Sequence, residues 1–128
     1  MATVAPGESL DQAMADFCQH IKDTVIPRNT GVAWDYLRVE LWSDSGRIIA
    51  YPASSSSSER IEKAGCQVVF GDLLAEYEQL ADSELDDNDF EAALFKVEQK
   101  WAGRFLEAAR HVGLSDTSMR FFSGEQPL

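Results

Sequence analysis

The stretch that decides the fold is residues 34–51, whose sequence is WDYLRVELWSDSGRIIAY. From Trp34 to Trp42 the side chains alternate with a period of two, which is typical of a β-strand whose two faces differ. One predicted face consists of Leu37, Val39 and Leu41, and the other of Tyr36, Arg38, Glu40 and Trp42. The second face has aromatic rings beside charges, so we expect it to be only partly covered.

Residues 43–46 predict a tight turn after this strand, because Gly46 can adopt the positive φ angle that a short hairpin requires. Residues 47–51 form the predicted returning strand, and Pro52 is expected to end it. The two strands make an antiparallel hairpin, which we expect in the middle of a small sheet.

A helix is predicted before the hairpin. A capping-box pattern runs from Ser9 to Gln12, in which the serine hydroxyl and the glutamine amide would satisfy free N–H groups. Apolar residues then recur at helical spacing as far as Val25. Pro27 is expected to end this first helix.

One further strand and two helices are predicted after the hairpin. Residues 66–70 are a short apolar run that predicts a third strand, and Asp72 is expected to cap a second helix. The third and longest helix is expected from residues 89–90 to a C-terminal cap at Gly113. Residues 117–122 could add a last strand.

Strands followed by helices predict an α+β fold, here a small antiparallel sheet of three or four strands packed with an N-terminal helix and two C-terminal helices. The length of 128 residues suits a single domain over residues 1–128. Within it we expect a flexible serine-rich loop at residues 53–60 and loose ends at residues 1–8 and 123–128.

The charge balance narrows the range of partners. Eleven Lys and Arg residues stand against 22 Asp and Glu residues, which leaves a formal net charge of −11. This excess argues against nucleic acid and anionic membranes as partners and favours a basic protein. No apolar stretch approaches the roughly 18 residues that span a bilayer, and no export signal precedes the first helix, so we expect a cytoplasmic protein.

The residues that usually carry chemistry are sparse. The two His and two Cys residues lack zinc-site spacing, and Cys18 and Cys66 lie in apolar surroundings typical of reduced thiols. The acids at 86–89 lack the central glycine of a calcium loop. Neither a nucleophile elbow nor a phosphate loop is present. We therefore expect a non-enzyme with no catalytic residues, metal or cofactor.

The acids themselves are the candidate binding residues. They gather on the second helix and at its junction with the third, where they form either a solvated surface or a docking patch for a basic partner. The acids of this set are Glu76, Asp82, Glu84, Asp86, Asp87, Asp89 and Glu91. Trp34, Tyr36 and Trp42 are further candidates, since aromatic residues are frequent in interface hot spots, although ordinary packing would explain them equally.

The order of these elements resembles the YezG-like bacterial immunity proteins, small cytosolic antitoxins encoded beside secreted polymorphic toxins. The resemblance lies in the N-terminal amphipathic helix, the hairpin from Trp34 to Trp42 with its Asp-Ser-Gly-Arg turn, the sequence FGDLLAEY at residues 70–77, and the long third helix. It covers most of residues 9–122 as a pattern of elements. No single residue corresponds to a family motif.

The resemblance implies an immunity protein that binds and neutralises a cognate toxin, often a nuclease, with a basic surface that this acidic chain could cover. We expect a monomer or a weak homodimer. An alternative is an acidic secretion chaperone or adaptor, although such proteins usually place strands between their last two helices. A small enzyme or ligand-binding domain would instead require a deep pocket with a perturbed carboxylate.

Overall fold

The protein is described by a computed structural model that covers residues 2–29, 31, 33–55, 66–114 and 117–128. Its strands are β1 (Ala2–Val4), β2 (Tyr36–Trp42), β3 (Arg47–Ala53), β4 (Cys66–Phe70), β5 (Met119–Ser123) and β6 (Gln126–Pro127). Its helices are α1 (Leu10–His20), α2 (Ile26–Arg28), α3 (Gly71–Asp82) and α4 (Asp87–His111). A π-helical segment, Ile21–Val25, joins α1 to α2, and a 3-10 turn, Ser43–Ser45, joins β2 to β3. The α+β class expected from the sequence is confirmed.

The sheet is larger than expected and mixed. In the described part of the chain six strands lie in the order β1-β4-β3-β2-β5-β6, where the prediction was three or four antiparallel strands. The pairs β1–β4 and β2–β5 are parallel. Parallel neighbours need a long crossover, and the chain makes one through α3 and α4 before β5 returns beside β2. The edge strands β1 and β6 have three and two residues, too few to show a period in the sequence.

The short edge strands lie in the segments that the sequence predicts to be loose. Residues 2–4 pair with β4, and residues 126–127 pair with β5. Of the predicted serine-rich loop, Ala53 belongs to β3, whereas residues 56–60 lie outside the described part of the chain.

The hairpin forms as expected around Gly46, whose φ angle is 70°. The returning strand, however, continues through Pro52 to Ala53. Pro52 lies opposite Leu37, and the N–H of Leu37 donates to the carbonyl of Ser118 on the other side of β2. The pair Leu37–Pro52 therefore exchanges no N–H bond, so the missing donor of proline leaves this ladder intact.

The first helix differs from the prediction at both ends. Ser9 precedes α1 but makes no side-chain capping bond, so the predicted capping box does not form. Pro27 does not end the helix, which continues to Arg28. The N–H of Ile26 bonds to the carbonyl of Ile21 in the wider π register, and Pro27 falls in the first turn of α2, where a missing N–H is tolerated.

The two later helices begin earlier than expected. Phe70, not Asp72, precedes the first turn of α3, and Asp72 lies within that turn. The long helix begins at Asp87 because Asp86 accepts the N–H of Asp89 at 2.8 Å and caps it. At its other end Gly113 has a φ of 89°, which fits the predicted C-terminal glycine.

One face of the sheet and the helices enclose the core. The predicted apolar face of β2 is buried, with Leu37, Val39 and Leu41 at most 1% exposed. Phe17 of α1 makes edge-to-face contacts with Phe70 and Phe105, whose ring centroids lie 6.4 and 6.0 Å away. No helix of the described chain is long and apolar enough to cross a membrane.

Candidate functional site

The predicted acids lie where α3 passes into α4. Those that are exposed are Asp82, Glu84, Asp86, Asp87, Asp89 and Glu91. No Lys or Arg occurs in the sequence from residue 64 to residue 95. Among the described residues, no ion pair joins a Lys or Arg to an acid of residues 82–95, and we call this range the acidic junction.

Two acids of the predicted set have structural contacts. Asp86 caps α4, as described above. Glu76 accepts hydrogen bonds from the Nζ of Lys100 and the Nε1 of Trp101, and so ties α3 to α4. Because Trp101 is fully buried, this contact anchors Glu76 against α4 and leaves it less available to a partner.

The acidic junction also carries exposed apolar side chains. Leu85 is 42% exposed and Phe95 is 46% exposed, and they are the large hydrophobic residues that stand out at the surface of the described chain. Leu85 lies between two acids, and Phe95 follows Glu91 by one helical turn. Exposed aromatic and aliphatic groups within a charged surface are typical of interfaces.

The three candidate aromatic residues do not lie together. Tyr36 and Trp42 are at opposite ends of β2, roughly 20 Å apart at about 3.3 Å per residue. Tyr36 is buried, and the Cζ of Arg120 lies 4.2 Å from its ring centroid. Trp34 is half-buried beyond the same end of the strand. Only Trp42 lies close to the acidic junction.

Trp42 helps to line a cleft of about 250 Å³ between the 3-10 turn, α3 and α4. We call it the Glu98 cleft. Its lining residues are Leu41, Trp42, Ser43, Asp44, Tyr77, Phe90, Leu94, Glu98, Ser123 and Gly124. Phe90 belongs to the acidic junction, so the cleft and the junction are continuous.

Glu98 is buried in this cleft, with only 3% of its surface exposed. Its carboxylate accepts hydrogen bonds from the Oγ of Ser43 at 2.8 Å and from the Oγ of Ser123 at 2.5 Å. Burial raises the pKa of Glu98, and the charge of Asp44 raises it further, whereas the two hydroxyl groups lower it by less. The cleft therefore holds a carboxyl group that is reluctant to ionise.

The sequence prediction did not include Glu98, although a signal was present. Glu98 lies three residues before Trp101 and seven before Phe105, on the buried stripe of α4. An acid at this helical spacing is unusual. Its hydroxyl partners, Ser43 and Ser123, are distant in the chain, so no motif could reveal them.

A second buried carboxylate, Glu40, lies on the opposite face of the sheet. It is fully buried and accepts bonds from the Nε of Arg38 at 2.7 Å, the Nε1 of Trp42 at 2.9 Å and the hydroxyl of Tyr51. Burial alone would raise the pKa of Glu40, but these bonds together with the charge of Arg38 outweigh it and lower the pKa. Glu40 thereby holds the indole N–H of Trp42 on this opposite face of the sheet.

A larger groove of about 620 Å³ runs between α1 and the β1–β4 edge. His20 and Cys66 both line it, which superficially suggests a thiol nucleophile with a base. Burial raises the pKa of Cys66 to about 12, so its thiol is neutral at physiological pH. This groove offers no activated nucleophile among the described residues.

The Glu98 cleft offers acidic and aromatic side chains, which can recognise a charged or aromatic group of a binding partner. No group of three or more His, Cys, Asp or Glu residues in the described ranges is placed to hold a metal ion. Comparison of the chain with protein-family models, curated proteins and solved structures finds no match.

Proposed function

We propose that this chain is an immunity protein that binds and neutralises a bacterial toxin with a basic surface, acting through the acidic junction. One observation carries the proposal: two large apolar side chains are exposed at the acidic junction, Leu85 by 42% between two acids and Phe95 by 46% one helical turn after Glu91. A segment that served only solubility would have no use for an exposed phenylalanine.

The two features have separate physical roles in binding. Uncompensated carboxylates at the junction attract a basic surface over a distance set by the ionic strength, which speeds association. Burial of Leu85 and Phe95 against the partner would then slow dissociation, because buried apolar and aromatic groups supply most of the energy of interface hot spots. The proposal includes no catalytic step, and it locates the protein in the cytoplasm of the cell that makes the toxin.

The test is co-expression with the product of the adjacent toxin gene. We expect the two proteins to co-purify and the cells to survive. Phe95→Ala is expected to weaken binding by about tenfold or more, the effect of truncating a central aromatic side chain. Phe95 is nearly half exposed, so its truncation should leave the fold intact.

Glu107→Gln is the matched control. Glu107 is an exposed acid on the same helix, about 24 Å from Glu91 at 1.5 Å per residue, and its replacement should leave binding unchanged. No binding, or binding that Phe95→Ala leaves unaltered, would refute the proposal. Binding without protection of the cells would instead favour the secretion chaperone.

A further inference from the structure

We propose that the Glu98 cleft receives one arginine side chain of the partner protein, an inference that rests on the proposed function. The cleft volume of about 250 Å³ lies below the roughly 300–1,000 Å³ of typical small-molecule sites. It is therefore of a size for one inserted side chain. Phe90, which lines the cleft, belongs to the acidic junction, so a partner docked on the junction would cover the cleft.

The walls of the cleft favour a planar cation. Tyr77 and Phe90 both line it, and their rings meet edge to face at 5.9 Å between centroids. Aromatic faces attract cations, and a guanidinium group adds stacking of its own flat surface. An ammonium group is more strongly hydrated and has no such surface, so arginine fits the cleft better than lysine.

The cleft also has charge without a counter-charge. Asp44 and Glu98 contribute carboxyl groups, and its lining includes no basic side chain among the described residues. A cation bound beside Glu98 would favour its ionised form. Each oxygen of Glu98 accepts one serine hydroxyl, whereas a carboxylate has about four lone-pair sites. About two acceptor sites therefore remain, which matches the paired N–H groups of a guanidinium.

The other buried carboxylate of the protein provides the comparison. Glu40 accepts hydrogen bonds from Tyr51, Trp42 and Arg38, and these bonds together with the charge of Arg38 outweigh its burial and lower its pKa. Glu98 has only hydroxyl donors among its described hydrogen-bond partners, and its pKa is raised by burial and by Asp44. A guanidinium in the cleft would supply to Glu98 what Arg38 supplies to Glu40, and would relieve the repulsion between Asp44 and Glu98.

The experiment is a titration of the free protein with N-acetyl-arginine amide, followed by NMR through the backbone N–H signals of Tyr77 and Leu94, which line the cleft. We expect a saturable shift. N-acetyl-citrulline amide has nearly the same shape without the charge and should bind about tenfold more weakly or worse. N-acetyl-lysine amide should also bind more weakly than the arginine probe.

Variants locate the site. Glu98→Gln should abolish the saturable shift, and Glu84→Gln, which removes an exposed acid of the junction outside the cleft, should leave it unchanged. Asp44→Asn, at an exposed position of the 3-10 turn, should weaken the shift even if Glu98→Gln fails to fold. An equal response to citrulline or lysine, no response at all, or a response that survives both cleft variants would overturn the assignment.

The outcomes separate this inference from the proposed function. A toxin that binds Glu98→Gln as tightly as the wild type would leave the immunity role intact and remove the cleft from the interface. Saturable arginine binding by a chain that protects against no toxin would preserve the cation site and refute the immunity role.

Discussion

At the scale of single residues, two buried glutamates show how partners decide the ionisation of a carboxyl group. Glu40 has a guanidinium, an indole N–H and a phenol as donors, and its pKa is lowered despite complete burial. Glu98 has two serine hydroxyls, and burial raises its pKa. Glu40 therefore stabilises the fold above the ordinary glutamate pKa, and this contribution is lost as the pH falls through its lowered value.

Glu98 makes the opposite contribution. The folded state binds its proton more tightly than the unfolded state does, so the stabilisation is complete below the ordinary pKa of 4.5 and is lost as the pH rises through the raised pKa. Glu98→Gln keeps a neutral partner for both hydroxyl groups, one of which donates to the amide oxygen while the other accepts from the amide N–H. We expect it to raise the free energy of unfolding at pH 8 and to have little effect near pH 4.

Urea denaturation of wild type and Glu98→Gln at the two pH values measures this difference. Glu107→Gln, at an exposed position, should follow the wild type at both. A Glu98→Gln variant that is less stable than the wild type at pH 8 would show that the ionised carboxylate is favoured in the cleft.

At the scale of elements, the hairpin depends on Gly46. Its φ of +70° is strained for other residues, and an added Cβ would lie 2.7 Å from the carbonyl oxygen of Phe70 and 2.9 Å from the Cβ of Leu74. We expect Gly46→Ala to lower the free energy of unfolding by roughly 2–4 kcal/mol. Gly103→Ala, within α4 where nothing lies within 4 Å of the new Cβ, should raise it by about 0.5–1 kcal/mol.

Thermal and urea unfolding of the two glycine variants measures both changes. Both variants add the same methyl group, so opposite changes in the free energy of unfolding would come from the position of the glycine alone. Equal effects of the two substitutions would contradict a specific role for the turn.

The start of α4 depends on Asp86, which also belongs to the acidic junction. Its side chain accepts the N–H of Asp89, so Asp86→Ala should lower the free energy of unfolding by about 1 kcal/mol. Asp86→Asn keeps a capping oxygen and removes the charge. It should retain the stability of the wild type and still slow association with a basic partner, which chemical denaturation and binding kinetics would measure separately.

At the scale of the whole molecule, the net charge of −11 is unevenly distributed. Arg38, Arg47 and Arg120 belong to strands, whereas the segment from residue 64 to residue 95 has no base. The bases of α4, Lys96, Lys100, Arg104 and Arg110, follow this segment. We therefore expect a negative field around residues 82–91, with a range of about 10 Å at 0.1 M salt.

Stopped-flow measurement of partner binding tests this distribution. We expect the association rate to fall by about tenfold or more between low and high salt, and the dissociation rate to change little, because steering is screened and buried apolar contacts are not. Asp87→Asn should flatten the salt dependence, whereas Glu107→Gln should not. A salt effect confined to dissociation would contradict electrostatic steering.

The sequence predicted the elements whose patterns are local. These patterns depend on neighbours a few residues apart. They are the alternation in β2, the glycine at position 46, the apolar run of β4, and the apolar residues that recur every three or four positions along α4. Predictions that a single proline ends a helix or a strand were less reliable. Pro27 and Pro52 were expected to end their elements, yet each lies where no N–H is needed, and only the hydrogen-bond register shows this.

By itself the sequence determined the α+β class, the central hairpin and the location of the acids along the chain, because periodicity and charge are properties of neighbouring residues. Only the tertiary structure decided the six-stranded mixed sheet, since the pairing of β1 with β4 and of β5 with β2 joins residues distant in the chain. The Glu98 cleft arises in the same way. Its walls come from the 3-10 turn, α3, α4 and the end of β5, which meet only when burial of the core packs the helices on one face of the sheet.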